Sequence, residues 1–213
     1  MELPIPDLLR FGQAAVCAAL KECATNADLR HILALDATCG NGHDTLFLAT
    51  TLKSLAPDKP HTLIALDVQK QALENTRLLL ERNGLHARVR LLQASHENLE
   101  TILSDAEEMT GNAPLAAAMY NLGYLPGSDK RVITRWPSTL ASLNAAANRL
   151  AAGGLISVHA YGGHAGGREE LEALDVWCEQ LEPSVWTVAR YSMHNKTFKP
   201  EVLFLLQKKR IRA

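Results

Sequence analysis

The chain has 213 residues, 47% hydrophobic and 21% charged, which suits one compact domain with a full core and excludes a disordered chain. Its formal net charge is −1 and its isoelectric point is near 6.7, so bulk charge offers no argument for holding nucleic acid by its phosphates, although a local patch would suffice. No apolar run approaches the ~18–20 residues of a bilayer span, and MELPIPDLLRFGQ lacks the basic and apolar regions of a secretory signal. A cytoplasmic protein without membrane attachment is expected, with residues 1–213 as a single domain.

Taken in chain order, residues 8–23 place apolar side chains at helical spacing and predict an extra N-terminal helix. Short apolar runs then alternate with longer amphipathic stretches. The runs are His31–Asp36, His61–Asp67, Val89–Ala94, Leu115–Asn121, Leu155–Tyr161, Trp186–Met193 and Val202–Gln207. Continuous apolar runs of this length suit strands buried on both faces of a parallel sheet. Helices are predicted at Thr45–Leu55, at Gln69–Asn83 with Gly84 as its C-cap, at Ser138–Leu150 before Gly153-Gly154, and at Glu169–Leu181 before Pro183. Only a short loop containing Asn195, Lys199 and Pro200 separates the last two runs, too little for a helical crossover, so they should pair antiparallel. The expected fold is α/β, a Rossmann-like doubly wound sheet of seven mostly parallel strands with a closing antiparallel hairpin and helices on both faces.

Four cysteines, Cys17, Cys23, Cys39 and Cys178, form no CxxC pair and no cluster with histidine, so neither disulfides nor a metal are expected. The basic run Lys208-Lys209-Arg210-Ile211-Arg212 reads as a solvated chain end in preference to a phosphate contact.

Directly after the first strand comes Asp36-Ala-Thr-Cys-Gly40-Asn41-Gly42-His-Asp44. Two glycines between a predicted strand and a predicted helix allow a tight turn and let backbone approach a ligand. A dinucleotide fingerprint would need a third glycine where the chain has Thr45. An acidic residue four positions before the first glycine is instead typical of S-adenosylmethionine sites. Asp36 either orients the loop or meets the cationic end of the cofactor, and Asp44 is placed to cap the following helix. Asp67 closes the second strand, where a carboxylate can accept bonds from ribose hydroxyls, with Gln69 beside it; a helix cap is the bland alternative. In the turn after the third strand, Ser95 and His96 lie where an adenine would sit, while Ser95 also reads as an ordinary helix start.

The fourth strand delivers Asn121-Leu-Gly-Tyr124-Leu-Pro126 to the carboxyl edge of the sheet. Asn121 offers an acceptor and a donor in one short side chain and can aim an amine lone pair, and Tyr124 can stack on a base. A turn stabilised by Asn, Gly and Pro is the alternative. In the stretch from Tyr161 to Glu169, four glycines surround His164, a candidate base for deprotonating an amine.

DATCGNGHDTLFLA, the Ser95-His96-Glu97 turn, NLGYLPGSDK over Asn121–Lys130 and YGGHAGG over Tyr161–Gly167 together resemble the YtqB-like rRNA methylase family, in order along nearly the whole chain. The resemblance implies a class I methyltransferase that uses S-adenosylmethionine. It further implies methylation of the amine of 5-aminomethyl-2-thiouridine at the tRNA wobble position. Carried onto this chain, Asp36, Gly40, Asn41, Gly42, Asp67 and His96 would serve the cofactor. Asn121, Tyr124, Asp129, Lys130 and His164 would line the substrate side, with Tyr161 beside them. The implied partner is tRNA, and a second copy of the chain is a candidate partner. The departures are a prolonged 56–60 loop and the near-neutral charge. Competing readings are an rRNA methyltransferase, methylation of a small-molecule or protein amine on the same fold, a non-catalytic binding module, and an NAD-dependent oxidoreductase.

Overall fold

A computed structural model describes residues 7–123, 134–163, 166–195 and 201–210. The sequence candidates Tyr124, Asp129, Lys130 and His164 lie outside the described residues. The chain order is α1 (Leu8–Thr25), β1 (Ile32–Asp36), α2 (His43–Leu55), β2 (His61–Asp67), α3 (Lys70–Arg82), β3 (Val89–Gln93), α4 (Leu99–Asp105), α5 (Glu107–Thr110), β4 (Leu115–Leu122), α6 (Trp136–Arg149), β5 (Leu150–Tyr161), α7 (Gly167–Glu179), β6 (Trp186–Ser192) and β7 (Glu201–Lys208).

The seven strands make one sheet in the order β3-β2-β1-β4-β5-β7-β6. Five neighbouring strands, β3 through β5, pair parallel, and β7 runs antiparallel to both β5 and β6. The chain winds outward from β1 to β3 and then returns to β4 on the other side. The crevice between β1 and β4 is therefore the topological switch point, where open α/β sheets bind their ligands.

Each sheet face has its own apolar layer. On one side α1 and α2 bring Val16, Leu20, Leu48 and Leu52 against Ile32, Ala34, Ala117, Leu155 and Leu203. On the other, Leu143, Leu171 and Leu174 of α6 and α7 meet Leu35, Ile156, Val158 and Phe204. The interior-strand positions of β1 are all buried, as a continuous apolar run requires. α1 lies close over the sheet because Gly12 has no Cβ; one added there would come 3.0 Å from Ser157 Oγ and 3.2 Å from Leu203 Cδ1.

Several boundaries differ from expectation. The glycine pair Gly153-Gly154 was expected to mark a break before the fifth strand, yet β5 begins at Leu150, directly after α6. A Cβ on Gly154 would stand 3.0 Å from the carbonyl oxygens of Ala116 and Ala151, so this glycine permits a close strand approach within the sheet. The β4–β5 register shifts at the same place, between Leu115 and Ala117. α3 ends at Arg82 with Asn83 as the cap, and Gly84 sits one position beyond at φ +64°. Its N–H bonds Glu81 O, and that of Leu85 bonds Leu80 O, the Schellman pattern. The short helices α4 and α5 fill the segment between β3 and β4, where sequence patterning offers only a helix start at Ser95.

Candidate active site

The loop from β1 to α2 is fixed by backbone bonds on three sides. Ala37 N donates to Met119 O of β4 at 2.9 Å, Cys39 N to Leu66 O of β2 at 2.8 Å, and Gly42 N to Cys39 O at 2.8 Å. Gly40 N donates to Asp67 Oδ2 at 3.0 Å, and Gln69 N to Asp67 Oδ1 at 2.9 Å. Asp67 thus joins the turns that follow β1 and β2, and its carboxylate keeps accepting capacity beyond these bonds. Burial pushes its carboxyl above the usual range, against the bonds from Gln69 and Gly40. Gly42 has φ +84°, and a Cβ there would stand 2.9 Å from Thr76 Cα, so no other residue fits without movement. Asn41 Oδ1 accepts from Asn75 Nδ2 at 2.9 Å, and Thr76 Oγ1 donates to Gly40 O at 3.1 Å.

Asp36 is fully buried at the end of β1. Its carboxylate accepts from Thr45 Oγ1 at 2.6 Å and Thr38 N at 3.3 Å, bonds that tie it to the segment following β1. Burial first, then the nearby Asp44 charge, pushes its pKa up to about 7.

Asp44 is not a helix cap. Gly42 occupies that position, and no side chain caps α2. Asp44 is buried and bonded to distant partners: Oδ1 accepts from Gln13 Nε2 of α1 and Oδ2 from Asn121 Nδ2 of β4, each at 2.7 Å. Asn121 N also donates to Thr38 Oγ1 at 2.7 Å. With its amide nitrogen committed to Asp44, the Asn121 carbonyl is the free half of the side chain among the described residues, held at the carboxyl end of β4 as an acceptor.

His96 lies in the 3₁₀ turn after β3, 8% exposed, with no partner for its Nε2 among the described residues. Burial lowers its pKa to about 4, so the ring is neutral. An orphaned buried nitrogen invites a ligand group. Ser95 Oγ caps that turn by accepting from Glu97 N at 3.2 Å, the helix-start reading of this residue.

The other edge carries Tyr161, 40% exposed at the end of β5. Sequence reasoning missed its neighbours. Tyr161 Oη lies 3.1 Å from His159 Nδ1, and His159 Nε2 lies 2.9 Å from Glu201 Oε1. Phe11 of α1 meets Tyr191 of β6 edge to face, with centroids 4.6 Å apart. Below this edge, buried Glu170 accepts from Thr134 Oγ1 at 2.7 Å and Thr139 Oγ1 at 2.6 Å, tying α7 to the start of α6. Among the described residues no group of histidine, cysteine and carboxylate side chains could hold a metal, and no helix is long and apolar enough to cross a membrane.

These residues fit the cofactor that the sequence implies. The glycine turn is held in one shape by Asp67 and Thr76, Asp67 offers lone pairs to hydroxyls, and His96 presents an unpartnered ring nitrogen among the described residues. Comparison with known proteins agrees. The family described as "Putative rRNA methylase" matches residues 63–207. A chloroplastic tRNA (mnm(5)s(2)U34)-methyltransferase of Arabidopsis thaliana is 36% identical over 177 residues, 82% of this chain. The chain spans 62% of that relative's length. A Clostridium thermocellum protein of the same family description superposes with a TM-score of 0.82 at 30% identity, covering 97% of this chain and 100% of its own. A "putative methyltransferase" from Streptococcus mutans, solved in complex with SAH, gives 0.75 at 27% identity, covering 96% and 99%. The glycine turn, the seven-stranded sheet with its inserted antiparallel strand, and these matches agree, and the chain belongs to the rRNA methylase family of methyltransferases.

Proposed function

We propose that this chain transfers a methyl group from S-adenosylmethionine to the amine of a 5-aminomethyl uridine, 2-thiolated or not, at the wobble position of tRNA. The observation that carries the amine reading is the clamped Asn121, whose amide nitrogen is bound to Asp44 at 2.7 Å so that its oxygen faces an incoming donor. The plant relative's stated substrate supports the wobble uridine. When bound, the cofactor supplies a methyl on a cationic sulfonium, open to in-line displacement.

Such a displacement moves charge without creating it, so catalysis can rest on alignment. The Gly40–Gly42 turn, Asn41, Asp67, Gln69, Ser95 and His96 hold and shape the cofactor side, with Asp36 bracing the turn from below and Asp44 joining it to Asn121. Asn121 Oδ1 accepts an N–H of the amine and aims its lone pair. Tyr161, with Tyr124, Asp129, Lys130 and His164 carried over from the family, makes the substrate side. The partner is tRNA. The compartment we assign is the cytoplasm, consistent with four cysteines that are all free. The family description favours one second reading, a ribosomal RNA substrate.

The test is methyl transfer from labelled S-adenosylmethionine to bulk tRNA of a strain lacking this protein, followed by nucleoside mass spectrometry. The expected product is one added methyl on a 5-aminomethyl uridine. Cofactor binding with label appearing only in ribosomal RNA would replace tRNA by the second reading.

A further inference from the structure

Behind Tyr161 a hydrogen-bonded chain crosses from β5 to β7 through His159 and Glu201. His159 is 3% exposed within a largely apolar run. It stands between the Tyr161 hydroxyl on one ring nitrogen and the Glu201 carboxylate on the other. The Tyr161 and His159 rings lie 4.4 Å apart. Strand register sets Asn121 opposite His159 and Tyr161 opposite Glu201. Residues 159 and 161 share a sheet face because strand side chains alternate. It is the face covered by α1 and α2, where Asp44 reaches Asn121.

We propose that Tyr161, backed by His159 and Glu201, is the proton exit for the acceptor amine. The inference rests on the amine reading. An alkyl ammonium keeps its proton up to a pH of ~10 and has no lone pair to donate while it does. In the relay, an ammonium N–H passes its proton to Tyr161 Oη while the hydroxyl proton of Tyr161 moves to His159 Nδ1. The nitrogen keeps the electron pair of the broken N–H bond. The charge moves to the imidazolium, which is paired with Glu201. Water later takes the proton by the same route through the hydroxyl of the partly exposed Tyr161. The arrangement follows the logic of hydroxyl–imidazole–carboxylate triads, in which the carboxylate fixes the tautomer and stabilises the imidazolium.

The electrostatics suit the relay. Burial holds His159 below its ordinary value, so the ring is neutral near pH 7 and able to accept. Glu201 from β7, Asp44 from α2 and Asp7 ahead of α1 all act in the opposite direction and would favour the imidazolium once formed. The same burial pushes the Tyr161 phenol up to about 12, so it conducts a proton and does not itself stay ionised.

The test combines Tyr161→Phe and Glu201→Gln with single-turnover methyl transfer to amine-bearing tRNA across pH. Tyr161→Phe should slow transfer ~10²-fold at pH 7, with the deficit closing as pH approaches ~10, where the amine is neutral unaided. Glu201→Gln should show a smaller deficit that closes in the same way. In the cofactor-free protein, nitrogen NMR should find the His159 proton on Nε2, with a titration midpoint that falls in Glu201→Gln. A deficit that is absent or constant with pH, or a proton on Nδ1, overturns the relay and leaves the amine reading standing. A wild-type protein that methylates no tRNA amine overturns both.

Discussion

At the ends of β1 and β2 the site is made largely of main chain. Peptide groups of Ala37, Cys39, Gly40 and Gly42 are each bonded in place, and the carboxylate of Asp67 accepts from the N–H groups of Gly40 and Gln69. At the ends of β4, β5 and β7 the contacts run from side chain to side chain: Gln13 to Asp44 to Asn121, and Tyr161 to His159 to Glu201. A main-chain cradle has one shape and suits a ligand that never varies. Side-chain relays fix donors, acceptors and protons, which is what an acceptor nucleophile needs. Under the proposed reaction the contrast becomes a division of labour across the switch point, with binding on one side and alignment on the other.

The division breaks or sharpens on a pair of substitutions. Asn121→Ala should lower turnover by ~10²–10³-fold, the usual range for losing one aligned polar group at a reacting centre, with cofactor affinity nearly unchanged. Asp67→Ala should weaken cofactor binding by ~10–100-fold, the loss of one or two hydrogen bonds to a charged group, with turnover at saturating cofactor largely kept. Calorimetry and single-turnover kinetics on both variants check this. Equal losses of affinity and turnover in the two would abolish the distinction.

The main-chain half was the more legible in sequence, for a physical reason. Its determinants are local: a strand, an acidic end, two glycines and a helix within Ile32–Leu55, then a second strand ending in Asp67. The alternation of apolar runs likewise gave the parallel sheet and the final antiparallel pairing, because burial on both faces leaves a direct mark on composition. The side-chain half depends on partners far apart in the chain. Asp44 looks like a helix cap by position, and its true partners are 31 residues before it and 77 after it. His159 is a polar residue in an apolar strand, a signal that was present, but its partner Glu201 lies 42 residues on and joins it only through the β5–β7 pairing. Gly153-Gly154 imitates a strand boundary because nothing local distinguishes a turn from a close approach of two strands.

Beneath both halves sits Asp36, whose behaviour with pH is a check on how dry the base of the crevice is. Its folded pKa of about 7 lies above the 3.8 of an ordinary aspartate. Between those values the folded chain binds a proton that the unfolded chain has released. Stability from this group therefore falls as pH rises from about 4 to about 7 and levels off above. Asp36→Asn removes that slope, so its stability relative to wild type should improve across the window by ~2 kcal/mol, a fraction of the shift at 1.36 kcal/mol per unit. Denaturant midpoints at the two ends of the window measure it. A difference that does not widen with pH would mean that water or a cation reaches this carboxylate.

The smallest effect expected is the most specific to this architecture. Gln13 lies on the N-terminal helix, outside the sheet's strand–helix alternation, yet its amide donates to the Asp44 oxygen opposite the one that holds Asn121. Gln13→Leu keeps the bulk of the side chain and removes that bond. Asp44 then has one fewer restraint, while its bond to Asn121 persists. Turnover should drop ~3–10-fold, about 1 kcal/mol, the scale of one partly buried hydrogen bond. Cofactor affinity should hold, since no bond of the glycine turn passes through Gln13. Combining Gln13→Leu with Asn121→Ala tests the route of the effect. If Gln13 acts by steadying Asn121 through Asp44, its loss costs nothing further once the Asn121 side chain is gone, and the pair is non-additive by the whole of the smaller effect. Full additivity would mean that α1 serves turnover by another path, such as the contact of its Phe11 with Tyr191 of β6.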